Sequence, residues 1–146
     1  MGIPDPERDP QFYDGVPMRR LVAFCIDTVI IIGLWIVGAI ALSILTLGIG
    51  VVLIPPLFFV TVFGYRWFLV SRQSATFGMK VTGIELRDPT GAHLDSTQAA
   101  IHTAAFMASI GFLPIAIVGW ILMASSPTRQ AIHDLPLGTV AINRPD

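Results

Sequence analysis

The sequence predicts an all-α membrane protein, a small helical bundle with a small cytoplasmic β element. Three observations predict this. The chain of 146 residues is 53% hydrophobic and 13% charged, whereas a soluble domain usually carries about a quarter charged residues. Its apolar residues gather in three stretches, 21–45, 51–70 and 99–124, within which Asp27 and Arg66 are the charged side chains. Short polar segments after the second and third stretches carry β-branched alternation, the mark of strands. A mean hydropathy of +0.71 with a net charge of -1 excludes an ordinary cytosolic domain and a disordered chain. It also excludes a basic nucleic-acid binder, which would cluster Lys and Arg.

Residues 1–18 read as a disordered polar tail with Pro4, Pro6, Pro10 and Pro17, in which Asp5, Glu7, Asp9 and Asp14 outnumber Arg8. A cleaved signal peptide starts basic and turns apolar early. This segment does neither, so a retained, mobile cytosolic tail is expected. Cys25 is the single cysteine; it lies in the first apolar run, where a thiol behaves as a small hydrophobe.

As a helix, 21–45 would be about 37 Å long, enough to cross a hydrocarbon core of roughly 30 Å with some tilt. The 51–70 run is just long enough. The uncharged turn 46–50 makes the two helices antiparallel neighbours, and Pro55 and Pro56 fall near the start of the second, close to where a missing N–H is tolerated. Arg19 and Arg20 precede the first span, and Arg72, Lys80 and Arg87 follow the second, while the 46–50 turn has no basic residue. The positive-inside bias then puts the N-terminus and the segment after residue 70 in the cytoplasm.

The polar segment 71–98 contains a strand candidate, 79–87, followed by the turn signal Asp88-Pro89-Thr90-Gly91. The third apolar stretch, 99–124, is long enough for one span, yet Gly111 and Pro114 divide it into pieces too short to cross alone. It is therefore bent and returning, or it spans once. A short helix from Ser126 to about Asp134, with Ser126 as N-cap and Pro127 at the first position, and a strand at 139–143 follow. Pairing of 139–143 with 81–86 would require a returning stretch and a cytoplasmic C-terminal tail, because lone strands are unstable in water. The small residues Ala100, Ala104 and Ala108, and again Ala105 and Ser109, fit close helix packing within the bundle or a homodimer face.

An acid inside a span is expected to face the bundle, be protonated or find a cation. Asp27 lies seven positions after Arg20, nearly two turns, so the two share a helix face. Arg66, at a matching depth in the antiparallel second helix, is the expected partner of Asp27. Such a pair is either structural or part of a permeation path. His102 and the tail's His133-Asp134 match no zinc or other metal spacing. With no Walker loop, G-x-G-x-x-G, G-x-S-x-G or H-E-x-x-H, neither an enzyme nor a cofactor nor a metal site is expected.

Three blocks in order resemble the RDD family, named for one arginine and two aspartates. The first runs from Arg20 to Asp27. The second is Ala75-Thr76-Phe77-Gly78-Met79-Lys80-Val81-Thr82-Gly83-Ile84. The third is Arg129-Gln130-Ala131-Ile132-His133-Asp134 with Gly138-Thr139-Val140. Together they lie within a membrane domain drawn at 19–142. The resemblance assigns the second aspartate to Asp134, and it makes Thr76, Gly78, Gly83, Arg129, His133, Gly138 and Thr139 supporting motif residues. Two positions depart from the pattern: His102 stands where members often have Arg, and Met79, followed by Lys80, where they often have Lys.

The resemblance implies a multi-pass bacterial inner-membrane protein, of a kind for which ligand transport, including cation/proton exchange, has been suggested. It also brings Arg20, Asp27 and Asp134 into one group, with Arg20–Asp134 as a clasp or a gate. The expected function is transport or exchange of small ions or ligands through Asp27. The alternative is a non-transporting scaffold or assembly partner in which these charges are structural. The expected partners are the lipid bilayer, a second copy or another membrane protein, and an unidentified small ion or ligand, without nucleic acid.

Overall fold

The computed structural model describes residues 2–144 apart from Phe112 and Pro136. Helix α1 spans Val16–Leu45, α2 Ile54–Gln73, α3 Phe77–Thr82, α4 Ser96–Ile110 and α5 Leu113–Ser125, with strands β1, Ile84–Arg87, and β2, Val140–Asn143. Among the described residues, two helical segments are long and apolar enough to cross a membrane, the one ending at Leu45 and the one ending at Gln73. The expected helical membrane fold with a small β element is therefore observed.

The buried positions of α1 are Val16, Arg20, Ala23, Asp27 and Ile31. Their spacing of three or four residues traces one helix face. On α2 the buried positions are Val62, Arg66 and Val70, again four apart. Beyond these stripes the long apolar side chains face outward: Val29, Val37, Ile44 and Leu45 are 67% or more exposed, as lipid contact requires and as a water-soluble surface would not tolerate. Near the far end the two helices meet through Trp35, whose indole Nε1 donates to the Ile54 carbonyl at 2.9 Å and whose ring meets Phe58 edge-on. The second helix starts at Ile54, because residues Ile49–Leu53 wind into a 3-10 turn. Pro55 and Pro56, which have no N–H to lose, fall in the first turn of α2.

The strand expected over 79–87 is half helix. Thr76 caps α3 by accepting from Met79 N, and Gly83, at φ 78, ends it in the left-handed region, where a residue without Cβ is favoured. Only Ile84–Arg87 remains as strand. It pairs antiparallel with β2 in the register Ile84↔Asn143, Glu85↔Ile142, Leu86↔Ala141 and Arg87↔Val140.

That pairing decides the course of the third apolar stretch. The β1 strand follows closely on α2 and α3, so a chain whose end pairs with β1 has returned to the end of the bundle it left. Helices α4 and α5, of 15 and 13 residues, are each about 20 Å long, short of a full crossing. They form the returning pair. Asp95 opens α4 with a capping box to Gln98. On α4 Ala99, His102, Thr103 and Ser109 are buried while Ala104 and Ala108 face out.

Two further expectations are corrected. The helix from Ser126 to Asp134 is a turn followed by a 3-10 turn at Ile132–Asp134, with Arg129 at φ 54 between them; a left-handed residue interrupts any α-helix. The N-terminal segment is not a bare tail. Residues Pro10–Phe12 form a 3-10 turn, and Tyr13, 3% exposed, packs with Val140 and Ile142 of β2. Its hydroxyl donates to the Pro4 carbonyl at 2.6 Å.

The apolar core lies where the N-terminal half of α1, the end of α2, α3 and the sheet converge, and includes Val16, Val70, Met79, Ile84, Leu86 and Ala141. The charged side chains of interest sit directly against it.

Candidate functional site

Asp27 is 5% exposed and is held by three neutral donors. Its Oδ1 accepts from Tyr65 Oη and from Gly78 N, both at 2.8 Å. Its Oδ2 accepts from Thr76 Oγ1 at 2.5 Å. Thr76 Oγ1 in turn accepts from Met79 N. One carboxylate therefore fastens α1 to α2 and to the start of α3, where backbone N–H groups point outward and favour an anion. Gly78 permits the approach: a Cβ there would collide with the Ala23 carbonyl oxygen and lie 2.9 Å from Asp27 Oδ1.

Asp134, fully buried, collects a second set. Its Oδ2 accepts from Arg20 Nη1 at 2.6 Å and from Ala131 N at 3.0 Å. Its Oδ1 accepts from His102 Nε2 at 2.6 Å and from Thr139 Oγ1 at 3.1 Å. The other end of the Arg20 fork, Nη2, lies 2.8 Å from His133 Nε2. Arginine can only donate, so His133 accepts there and is neutral. His102 and His133 meet edge-on at 4.9 Å between ring centroids. Burial alone would raise the Asp134 pKa, but Arg20 and His102 outweigh it and hold the carboxyl well below its ordinary value. Burial pushes the His133 imidazole well below its own. The Arg20–Asp134 contact anticipated from the family resemblance is thus present.

The expected Asp27–Arg66 ion pair is not: no Arg66 nitrogen lies within 4 Å of the carboxylate among the contacts of the described residues. Neighbouring helical positions point about 100° apart, and it is Tyr65 that faces Asp27. Arg66, 5% exposed, instead lays its guanidinium carbon 3.9 Å above the centre of the Phe106 ring, and its Nε and Nη2 have no hydrogen-bond partner among the described residues.

These groups surround a cavity of about 320 Å³ lined by Arg20, Asp27, Arg66 and His133 on its polar side and by Phe24 and Trp120 among its apolar walls. A second cavity of about 270 Å³ adjoins it, sharing Phe24, Asp27, Arg66 and Phe106 and extending between Ile31, Phe58 and Val62.

The supporting motif residues divide by place. Thr76 and Gly78 join Asp27; His133 and Thr139 join Asp134. Gly83 and Gly138, at φ 78 and 65, shape the turns beside the two clusters. Arg129 stands apart, its guanidinium donating to the Ala124 carbonyl. Sequence reasoning missed Tyr65, whose position one residue before an intramembrane Arg was the available signal. It also missed Glu85, buried in β1 and paired with Arg87, with His93 at 3.6 Å and with Arg144 at 3.9 Å.

One potential metal ligand atom each from His102, His133 and Asp134 lie within 4.8 Å of one another. A cation among them would have to displace the Arg20 guanidinium, which already spans Asp134 Oδ2 and His133 Nε2. The arrangement works chemically as a hydrogen-bonded clasp around a fixed positive charge.

A family model described as RDD family matches residues 15–138, most of the chain. No curated protein and no solved structure matches it.

Proposed function

The chain belongs to the RDD family, and from that premise we propose that it is a multi-pass inner-membrane protein, its N-terminus cytoplasmic, that passes or exchanges small ions or ligands through the cavity between Asp27 and Arg66. The observation that carries this reading is that both charges, from different helices and each 5% exposed, line one cavity. A protein without transport work gains little from keeping an acid and a base at that depth around empty space. The role is non-enzymatic. A chain of this size encloses a complete path by associating with a second copy or another membrane protein.

In this reading Asp27 is the switching group. While ionised it holds Tyr65, Thr76 and Gly78. A proton on the carboxyl converts an acceptor into a donor, gives up one of those contacts and loosens α3 from α1 beside the cavity. Proteoliposomes loaded with a pH-sensitive dye and given a pH gradient against Na⁺ or K⁺ test this. Wild-type protein dissipates the gradient and D27N does not. A flux that survives D27N overturns the mechanism.

A second reading is supported by the saturation of both carboxylates, which suits a non-transporting scaffold held by its buried charges. It requires that D27N impair folding or assembly. Normal folding and assembly in that variant would defeat it.

A further inference from the structure

Arg66 is the starting point. Among the described residues, the buried Arg20 has Asp134 and the buried Arg66 has no carboxylate within 4 Å. A buried charge without a counter-ion in contact is unfavourable, so an anion brought to the guanidinium would be held there. The two unpartnered atoms are informative. Nε and Nη2, both closed off from solvent, form the side edge of the guanidinium, whose parallel N–H groups match two oxygens of one carboxylate or phosphate once an entering ligand opens that cover. Phe106 covers one face of the same group at 3.9 Å, which fixes the plane in which a ligand must approach. The other polar walls are already engaged: Asp27 accepts from Tyr65, Thr76 and Gly78, and Arg20 is committed to the clasp.

The space around Arg66 extends beyond what a small ion would fill. Arg66 lines both cavities, and the second runs on between Phe24, Ile31, Phe58, Val62 and Met107, an apolar trough leading away from the charge. A bare inorganic anion would leave that trough empty, and a neutral lipid tail would leave the guanidinium unpaired. We infer that the Arg66 pocket binds an anionic amphiphile, a single two-oxygen head on the Arg66 side edge with an aliphatic tail in the adjoining trough. This rests on reading the cavity as the functional site and names the chemical class of what enters it. The head can belong to a free fatty carboxylate or to an anionic phospholipid.

The test is equilibrium binding by native mass spectrometry on the full chain purified in dodecyl maltoside. The probes are dodecanoate, phosphatidylglycerol, phosphatidylcholine, acetate and dodecanol. One molecule of dodecanoate or of phosphatidylglycerol per chain is expected, with acetate, dodecanol and phosphatidylcholine weaker by at least roughly tenfold, as the loss of a charge-assisted contact or of the buried tail dictates. Preference for dodecanoate identifies a free amphiphile as the source; preference for phosphatidylglycerol identifies a lipid headgroup.

R66Q should lose at least roughly tenfold in affinity. R66K, which keeps the charge without the side edge, should fall between R66Q and wild type. R72Q, which removes the exposed cation over Phe68, should leave binding unchanged. Should R66Q fail to fold, R66K decides: wild-type affinity for the anion in R66K overturns the inference. So does equal binding by R66Q, or dodecanol or acetate binding as tightly as dodecanoate. These results are separable from the transport test, since absent flux with intact amphiphile binding refutes transport alone, and flux without amphiphile binding refutes this inference alone.

Discussion

Replacing Asp134 by Asn should be among the most damaging single changes in the chain, and the contacts say why. The carboxylate accepts four hydrogen bonds, from Arg20, Ala131, His102 and Thr139. An amide presents one oxygen and one NH₂, so at least one donor would be set against another donor. The larger loss is electrostatic. Arg20 has a side chain only 7% exposed, and in D134N its charge remains buried without a counter-charge. Breaking a buried pair from one side costs about 3–5 kcal/mol, a large part of the roughly 5–15 kcal/mol that holds a typical domain together. R20M should cost less, because Asp134 keeps His102, Thr139 and Ala131 as donors and a carboxyl freed of Arg20 can itself take up a proton. The double variant R20M/D134L, which removes both charges and fills the space, should recover most of the loss. Tryptophan-detected thermal unfolding in detergent, run on all four proteins, measures the coupling. Stability of D134N within about 1 kcal/mol of wild type, or a double variant as damaged as the sum of the singles, would refute the clasp.

G78A should destabilise by about 1–3 kcal/mol, since the added methyl meets the Ala23 backbone, which cannot swing aside as a side chain can; the same unfolding assay checks it, and G64A, where a Cβ has open space, serves as the control. Acid stability should fall in two stages. The His133 pKa is depressed in the folded protein, so the unfolded chain binds the extra proton first and stability declines as the pH drops below about 6.5. Asp134 is depressed as well, and its contribution is lost below about 3.9. Each proton contributes a slope of up to about 1.4 kcal/mol per pH unit. Burial also depresses His102, so H133N should make the decline below about 6.5 shallower rather than remove it, and an unchanged slope in a pH series of unfolding curves would contradict the neutral His133.

The two long helices, their antiparallel pairing and the return of the C-terminal strand beside the first were readable because each follows from a one-dimensional signal. Apolar length fixes the crossing helices, and the instability of lone strands ties β2 to β1. The Arg20–Asp134 contact was readable only through the family's block order, since 114 positions separate the two residues and no local period links them. Where the reading failed, two local signals competed. Residues 79–87 alternate like a strand, but Thr76 and Gly83 bracket α3 as cap and terminator, and the caps prevail over the alternation. In residues 1–18 the prolines and acids mask Phe12 and Tyr13, which anchor the segment on β2.

The misplaced Asp27–Arg66 pair is the most instructive case. Matching depths along two antiparallel helices is arithmetic at 1.5 Å per residue, and on that measure Tyr65 and Arg66 are nearly equivalent. Their directions around the helix are not, because one residue turns the side chain by about 100°. Sequence gives depth from the ends of the apolar run but gives azimuth only through amphipathic contrast, and a lipid-facing helix has little. The face of α2 is set instead by α4, whose Phe106 takes the Arg66 guanidinium, and the face of α1 by α3, which brings Thr76 and Gly78 to Asp27. The acid is thereby satisfied by neutral donors and the base is left open. The turn of one residue is what leaves Arg66, among the described residues, without a carboxylate in contact beside the cavity it lines.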